Sequence, residues 1–353
     1  MTGGVPGTGL ACPIVACATD VVQLGHGSGG KLSADLLREH ILPHLAGQNA
    51  AALTDAAVLP LEAGSWAFST DTHVVAPLEF PGGDIGALSV HGTCNDLAMM
   101  GARPACLAVG LVLEEGLPLA LLDRVLESLG AAARGAGVRV VTGDTKVVER
   151  GKADGMFITT TGIGRLDAGF APAPARIGAG DAVLVSGPIG RHGVAVMAAR
   201  EQLGFETDVV SDSADLWPLV ERLRTACPDA VHALRDPTRG GLASALNELA
   251  ASARVGVELE ERAIPVPGGV AGVCEMLGLD PLYVANEGVL VAFVAERWAG
   301  VALEAIRSHP LGAGAVRIGG AVAAHPGLVT VRTAIGSARI VGLLPGDQLP
   351  RIC

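Results

Sequence analysis

"ACLAVGLVLEEGLPLALLDRVLESLGAAARGAGVRVVTGD" runs from Ala105 to Asp144 and decides the fold class. Residues 105–114 are a compact apolar run and read as a strand. Residues 119–137 repeat Leu and Val at helical spacing and end on glycine, which marks a helix and its stop. Residues 138–144 read as the next strand. A strand, a helix and a strand in forty residues make the chain α/β, and the rest of the sequence is read outward from this unit.

Upstream, "WAFST" (66–70) predicts a strand and "DIGALSVHGTCNDLAMMG" (84–101) a helix. Downstream, "MFITTTGIG" (156–164) predicts another strand. "RLDAGFAPAPARIGAGD" (165–181) is rich in Pro, Gly and Ala and predicts a domain boundary. The pattern then resumes: a strand over 182–188, a helix over 190–202 and a helix over 239–253. Residues 282–288 and 289–294 read as a strand, a turn and a strand. Short strands are expected at 315–322, 328–333 and 338–344. The expected organisation is a loose leader (1–20), a first domain (21–167), a second α/β domain with mixed sheets (168–344) and a mobile tail (345–353).

The bulk composition narrows the function. The 353 residues are 50% hydrophobic, enough for two cores. The net charge is -11 with no basic block, which argues against nucleic acid and against anionic membrane surfaces. No apolar run reaches the ~20 residues that span a bilayer. The seven cysteines, Cys12, Cys17, Cys94, Cys106, Cys227, Cys274 and Cys353, form no C-x-x-C pair. A disulfide framework or structural zinc site is not expected, and the first residues do not read as a signal peptide, so a cytoplasmic location is.

"GHGSGGK" (25–31) satisfies two phosphate-loop patterns at once, which shows how little either specifies. A P-loop needs a hydroxyl after the lysine, and Leu32 stands there. What the stretch does offer is backbone N–H groups around an anion, with a positive charge from Lys31. A flexible surface loop is the alternative.

Carboxylates recur at strand ends and helix starts: Asp55 in "LTDAAV", Asp71 in "STDTHV", Asp144 in "VTGDTK" and Asp236 in "LRDPTRGG", with Asp96 inside the helix of 84–101. Magnesium takes hard oxygen ligands, and a triphosphate needs such carboxylates converging from separate segments. On that helix Asp84, His91 and Asn95 share a face, which lines a site or faces solvent. Asp96 points elsewhere on an ideal helix. Lys146 stands close to Asp144, a pairing suited to phosphoryl transfer. Glu287, in "VANEG", reads as a turn carboxylate that burial could turn into a base, or as an exposed hairpin residue.

These motifs, closed by "PRIC" (350–353), resemble the HypE family of hydrogenase maturation proteins. That family lies within the ATP-binding superfamily of aminoimidazole ribonucleotide synthetase, selenophosphate synthetase and thiamine-phosphate kinase. The resemblance implies that superfamily's two-domain fold, a homodimer formed through the first domain, and ATP near the dimer interface. It implies ATP-dependent dehydration of a carboxamide on the Cys353 thiol to a thiocyanate. HypF would load the carboxamide, and cyanide would pass to iron on a HypC–HypD scaffold. On this reading ATP contacts are expected from Gly27, Ser28, Gly29, Gly30, Lys31, Asp71, Thr72, Asn95, Asp144 and Asp236. Magnesium ligands are expected among Asp55, Asp71, Asp96, Asp144 and Asp236. Lys146, then Lys31, would hold the moving phosphoryl group. Glu287 would be the base, with His26 and His91 in reserve. Ser28 stands where selenophosphate synthetases carry a reactive Cys or selenocysteine, against the selenium reaction. A small-molecule kinase or synthetase of the same superfamily would leave Cys353 idle. A non-catalytic thiol carrier would leave the carboxylates idle.

Overall fold

The computed structural model describes residues 20–28, 30–45, 56–200, 207–344 and 352. The expected leader, Gly29, Asp55 and most of the expected tail, Cys353 included, lie outside the described residues.

The first half opens with two short helices, α1 (Lys31–Leu36) and α2 (Leu42–Leu45). Strand β1 (Trp66–His73) follows, then a small hairpin of β2 (Glu79–Phe80) and β3 (Gly83–Asp84). Helix α3 (Ile85–Met99), β4 (Ala102–Glu114), α4 (Leu119–Gly135), β5 (Arg139–Val148) and β6 (Met156–Leu166) complete it. The sheet order is β1-β6-β4-β5. β4 and β5 are parallel, and the other pairs are antiparallel. The strand–helix–strand unit of the opening stretch is thus β4–α4–β5, a parallel pair bridged by its crossover helix. Leu122, Val125, Leu126 and Leu129 of α4 are fully buried. They recur at three- and four-residue steps, which is why this segment chose a helix that caps one sheet face.

The second half contains β7 (Asp181–Val185), α5 (Arg191–Ala198), α6 (Trp217–Ala226), β8 (Val231–Arg235), α7 (Gly241–Ala253), β9 (Gly256–Glu260) and α8 (Gly268–Leu277). It ends with β10 (Val291–Ala295), α9 (Ala299–Arg307), β11 (Val316–Val322), β12 (Val329–Arg332) and β13 (Ala338–Val341). The seven-stranded sheet runs β13-β12-β9-β11-β7-β10-β8, with only β12 and β9 parallel. The two halves share buried side chains. Ala98 and Met99 of α3 pack with Leu216, Trp217 and Val220 around α6.

Three expectations change. Residues 282–288 are not a strand: Pro281–Tyr283 is a 3-10 turn, and the strand begins only at Val291. The apolar run misled because Pro281 fixes a turn and the following backbone bonds to side chains and to other loops, not to a ladder. The short run "VVQL" (21–24), a candidate strand before the glycine loop, makes among the described residues only an isolated bridge from Val21 to Pro118. A dinucleotide-type turn is therefore excluded. Within the expected free tail, Ile352 is 3% exposed and belongs to a core cluster that joins first-half residues to Val194, Val196 and Met197 of α5.

Candidate active site

A cleft of about 200 Å³ is lined by Thr70, Asp71, Gly92, Asp96, Asp236, Thr238, Arg239 and Glu287. Both halves contribute. β1 supplies Asp71, α3 supplies Gly92 and Asp96, the turn between β8 and α7 supplies Asp236 to Arg239, and the segment before β10 supplies Glu287. Three of the five aspartates singled out in the sequence therefore meet in one place.

The local backbone explains how they fit. Gly92 lets α3 pass over Asp71: a Cβ there would lie 2.7 Å from His73 Nε2 and 3.3 Å from Asp71 Oδ2. Gly241 has φ +60, and a Cβ there would meet the Leu282 carbonyl oxygen at 2.5 Å. Glycine is required at that sharp entry to α7, so the "RDPTRGG" turn can fold back against the cleft.

The three carboxylates repel one another. Asp236 is 8% exposed. Burial, then the charge of Asp96, pushes its carboxyl up to about 7, and Asp71 adds to the shift. Asp96 is raised chiefly by burial, although the Ser69 hydroxyl donates to its Oδ2 at 2.7 Å. Arg239 and Arg235 oppose that rise. His73 Nε2 lies 3.3 Å from Asp71 Oδ2. One buried and two half-buried carboxylates lining the same cleft are a site short of positive charge. Among the described residues no three His, Cys, Asp or Glu side chains close into a metal cage.

Several expected contacts lie elsewhere. Thr72 pairs with Thr159, which pairs with Gly110, which pairs with Asp144, in one cross-strand row. Residues of such a row share a sheet face. Asp144 and Thr72 thus project from the open face, and Asp71, one residue along β1, projects from the opposite face toward α3. Asp144 is also on the far edge strand, three strand steps or about 14 Å away. Its side chain is 70% exposed and bonds Lys146 at 2.9 Å. That lysine, then the Thr145 amide, holds the Asp144 carboxyl below the usual range. The glycine loop sits on this edge too, because a Cβ on Gly27 would meet Val147 at 2.9 Å. Gly27 therefore lies at the β5 strand that carries Asp144 and Lys146, and none of Gly27, Ser28, Gly30 and Lys31 lines the cleft. His26 is outside the cleft as well, accepting from the Gln23 amide at 2.9 Å.

The expected stripe on α3 also changes. Asp84 is the helix N-cap, accepting from Gly86 N at 2.7 Å and Ala87 N at 3.0 Å. His91 bonds Ser213 Oγ at 2.9 Å through Nδ1, and burial lowers it to about 4. Asn95 donates to the Ala214 carbonyl at 3.0 Å and accepts from Leu216 N at 2.8 Å. Both residues hold the 211–216 segment. The face that lines the cleft carries Gly92 and Asp96, one helical turn apart, and needs no kink.

Glu287 does line the cleft and is 3% exposed. Its backbone N–H donates to Asp212 Oδ1 at 3.3 Å, and its carbonyl accepts from Ala214 N at 3.3 Å. Sequence reasoning missed Asp212, whose carboxyl burial pushes up to about 6. It also missed Arg239, the cation lining the cleft where Lys146 and Lys31 were expected. The only signal for Arg239 was its place in "DPTRGG". The four described cysteines, Cys94, Cys106, Cys227 and Cys274, are buried, and burial raises each thiol. A buried thiol with a raised pKa is a poor nucleophile.

Comparison with known proteins gives a consistent result. Residues 53–166 match the N-terminal domain of the AIR synthase related proteins, and residues 178–331 match the C-terminal domain. The chain is 52% identical to the carbamoyl dehydratase HypE of Cupriavidus necator over 333 residues, which is 94% of this chain and 95% of that protein. A crystal structure of hydrogenase maturation protein HypE in complex with ATP superposes with a TM-score of 0.89 at 48% identity, covering 94% of this chain and 99% of that one. A crystal structure of a HypE–HypF complex superposes at 0.77 with 42% identity, covering 89% of this chain and 100% of that one.

Proposed function

The chain belongs to the HypE family of carbamoyl dehydratases, within the AIR synthase related proteins. From that premise we propose that it consumes ATP to dehydrate a carboxamide on the Cys353 thiol to a thiocyanate, the cyanide source for hydrogenase iron. The observation that carries the reading is the cleft, which unites Asp71, Asp96, Asp236, Arg239 and Glu287.

The chemistry needs three things. An amide oxygen leaves poorly, so it first attacks the γ-phosphorus of ATP and ADP departs. The nitrogen gives up one proton as the C–O–P link forms. The C–O bond then breaks, phosphate leaves and the nitrogen loses its second proton, giving S–C≡N. The sum is carboxamide plus ATP to thiocyanate, ADP, phosphate and a proton. Arg239 is placed to hold the phosphoryl oxygens. Glu287 is the base for the amide protons. The mutual repulsion of Asp71, Asp96 and Asp236 fits a divalent cation such as Mg²⁺, which would neutralise phosphate charge there.

Asp144, Lys146 and the glycine loop enter through a second copy. The open face of the first sheet carries Phe68, 71% exposed, beside a ladder in which Thr70 meets Thr161 at 2.8 Å and Thr72 meets Thr159 at 3.1 Å. Among the described residues no helix covers this face, and we assign it to a homodimer that brings one copy's glycine loop to the other copy's cleft. HypF is the proposed partner for loading Cys353, and a HypC–HypD complex the proposed acceptor of cyanide. A cytoplasmic site of action fits the reduced thiol, and no helix among the described residues is long and apolar enough to cross a membrane.

The test is mass spectrometry of the tail after incubation with HypF, carbamoyl phosphate and ATP. A carboxamide on Cys353 should appear and then lose one water. ATP consumption unaffected by Cys353→Ala in this coupled assay would sink the reading.

A further inference from the structure

We propose that His192 is a positioning residue that docks the tail by gripping the peptide carbonyl next to Cys353. The proposal deepens the reading above and rests on it for the identity of the thiol's chemistry.

His192 is fully buried on α5 and is hydrogen-bonded at both ring nitrogens. Nε2 lies 2.8 Å from the carbonyl oxygen of Ile352, and Nδ1 lies 2.9 Å from Ser211 Oγ. A carbonyl can only accept, so Nε2 carries the proton and donates to it. Nδ1 of the neutral ring must then accept, so the Ser211 hydroxyl donates. Ser211 Oγ itself accepts from the Ser213 amide at 3.1 Å, which aims its proton at the histidine. The chain Ser213 N–H, Ser211 O–H, His192 N–H, Ile352 C=O therefore has one direction, and the protein backbone sets it. Phe80 stands edge-on to the imidazole, 5.3 Å away at 89°, and fixes the ring plane.

The gripped carbonyl is the one whose carbon is bonded to the Cys353 nitrogen. A peptide group is planar, so holding its oxygen, with the Ile352 side chain in the core, fixes the plane from which the thiol-bearing residue hangs. The place is tied to the cleft through the chain: Ser211, bonded to His192, precedes Asp212, whose Oδ1 accepts from the amide of the cleft residue Glu287. Two chain-wide facts make the dock more than packing. A buried histidine spends its sole donor on a residue 160 positions away. And Ser211 and Ser213 belong to the segment that also holds Glu287 through Asp212 and Ala214. One loop thus sets the position of both the base and the substrate arm.

The experiment measures His192→Phe, which keeps a ring but loses the donor, His192→Gln, which can still donate, and Ile352→Ala. Alkylation of Cys353 by iodoacetamide is followed on the peptide released by cleavage before Asp347, with the isolated protein and no ATP. His192→Phe and Ile352→Ala should alkylate at least about fivefold faster than the parent, and His192→Gln should restore much of the protection. In the coupled assay His192→Phe should lower the rate of water loss about tenfold or more while leaving the KM for ATP within about twofold. Equal alkylation and equal turnover in folded His192→Phe would overturn the proposal. Should that variant not fold, unchanged alkylation in Ile352→Ala overturns it, because that substitution leaves every residue of α5 in place. The alkylation arm needs no dehydration, so it separates failure of the dock from failure of the proposed reaction.

Discussion

Two groups of carboxylates in this chain have the same side chain and opposite circumstances. Asp144 lies on an edge strand, 70% exposed, with Lys146 at 2.9 Å and a carboxyl held below its ordinary range. Asp236 lies in a cleft between the halves, 8% exposed, with Asp96 and Asp71 near it and a carboxyl raised to about 7. The first is satisfied as it stands and can wait on an open surface. The second is under-compensated and gains when positive charge arrives. Burial and neighbours, not residue type, separate the roles.

The comparison can be broken most decisively at Asp236. Asp236→Asn should lower carboxamide dehydration by about 10³-fold or more, read as ATP-dependent loss of water from the Cys353 adduct. A loss under tenfold would remove the cleft from the mechanism. Asp144→Asn should also be inactive, by about 10²-fold, if a second copy supplies that edge. Mixing inactive Asp144→Asn and Asp236→Asn chains should then restore up to about a quarter of the parental activity, because one site in each mixed dimer is intact. No recovery after subunit exchange would mean that the two groups do not share a site.

Stability should show the contrast with the opposite sign. The folded carboxyl of Asp236 is raised above its unfolded value, so the folded state binds more protons between about pH 4 and about pH 7. Its ionisation therefore costs stability as pH rises through that window. Asp236→Asn should be more stable than the parent by roughly 1–2 kcal/mol above pH 7, with the gap closing toward pH 4, in thermal melts with EDTA present. Adding Mg²⁺ with ATP should stabilise the parent and not the variant. His91 and His192 act the other way. Both are lowered to about 4 by burial, so their contribution is complete above about pH 6.5 and is lost as pH falls toward 4. The smallest effect is expected at Asp84. Asp84→Ala should cost about 1 kcal/mol of stability through the lost N-cap and leave the KM for ATP unchanged. A large change in KM there would return Asp84 to the site.

The legible part of the site is the set of short motifs, and what the motifs leave out has a common origin. Asp71, Asp96, Asp236 and Glu287 were found because a carboxylate in an apolar chain is conspicuous. His91 and Asn95 were placed on the site because they share a helical face. That face turned out to hold the 211–216 segment, whose Ser211, Asp212 and Ser213 carry no motif. Asp71 and Thr72 both stand among the ATP contacts that the resemblance implies, yet alternation along β1 sends the two to opposite faces.

By itself the sequence determined the order and type of most elements, because apolar periodicity, caps and glycine stops act within a few residues. It also showed which segments carry the conspicuous carboxylates and glycines, and the closing "PRIC" supplied the thiol of the proposed reaction. Only the tertiary structure decided that the expected ligands fall into two groups about 14 Å apart across the sheet. It alone put Arg239 in the cleft, raised Asp236 and joined Ile352 to His192. Those facts depend on strand register and on contacts between segments far apart in the chain, as far as the 160 positions between His192 and Ile352. Desolvation and charge repulsion arise only once such segments meet, so no local pattern encodes them.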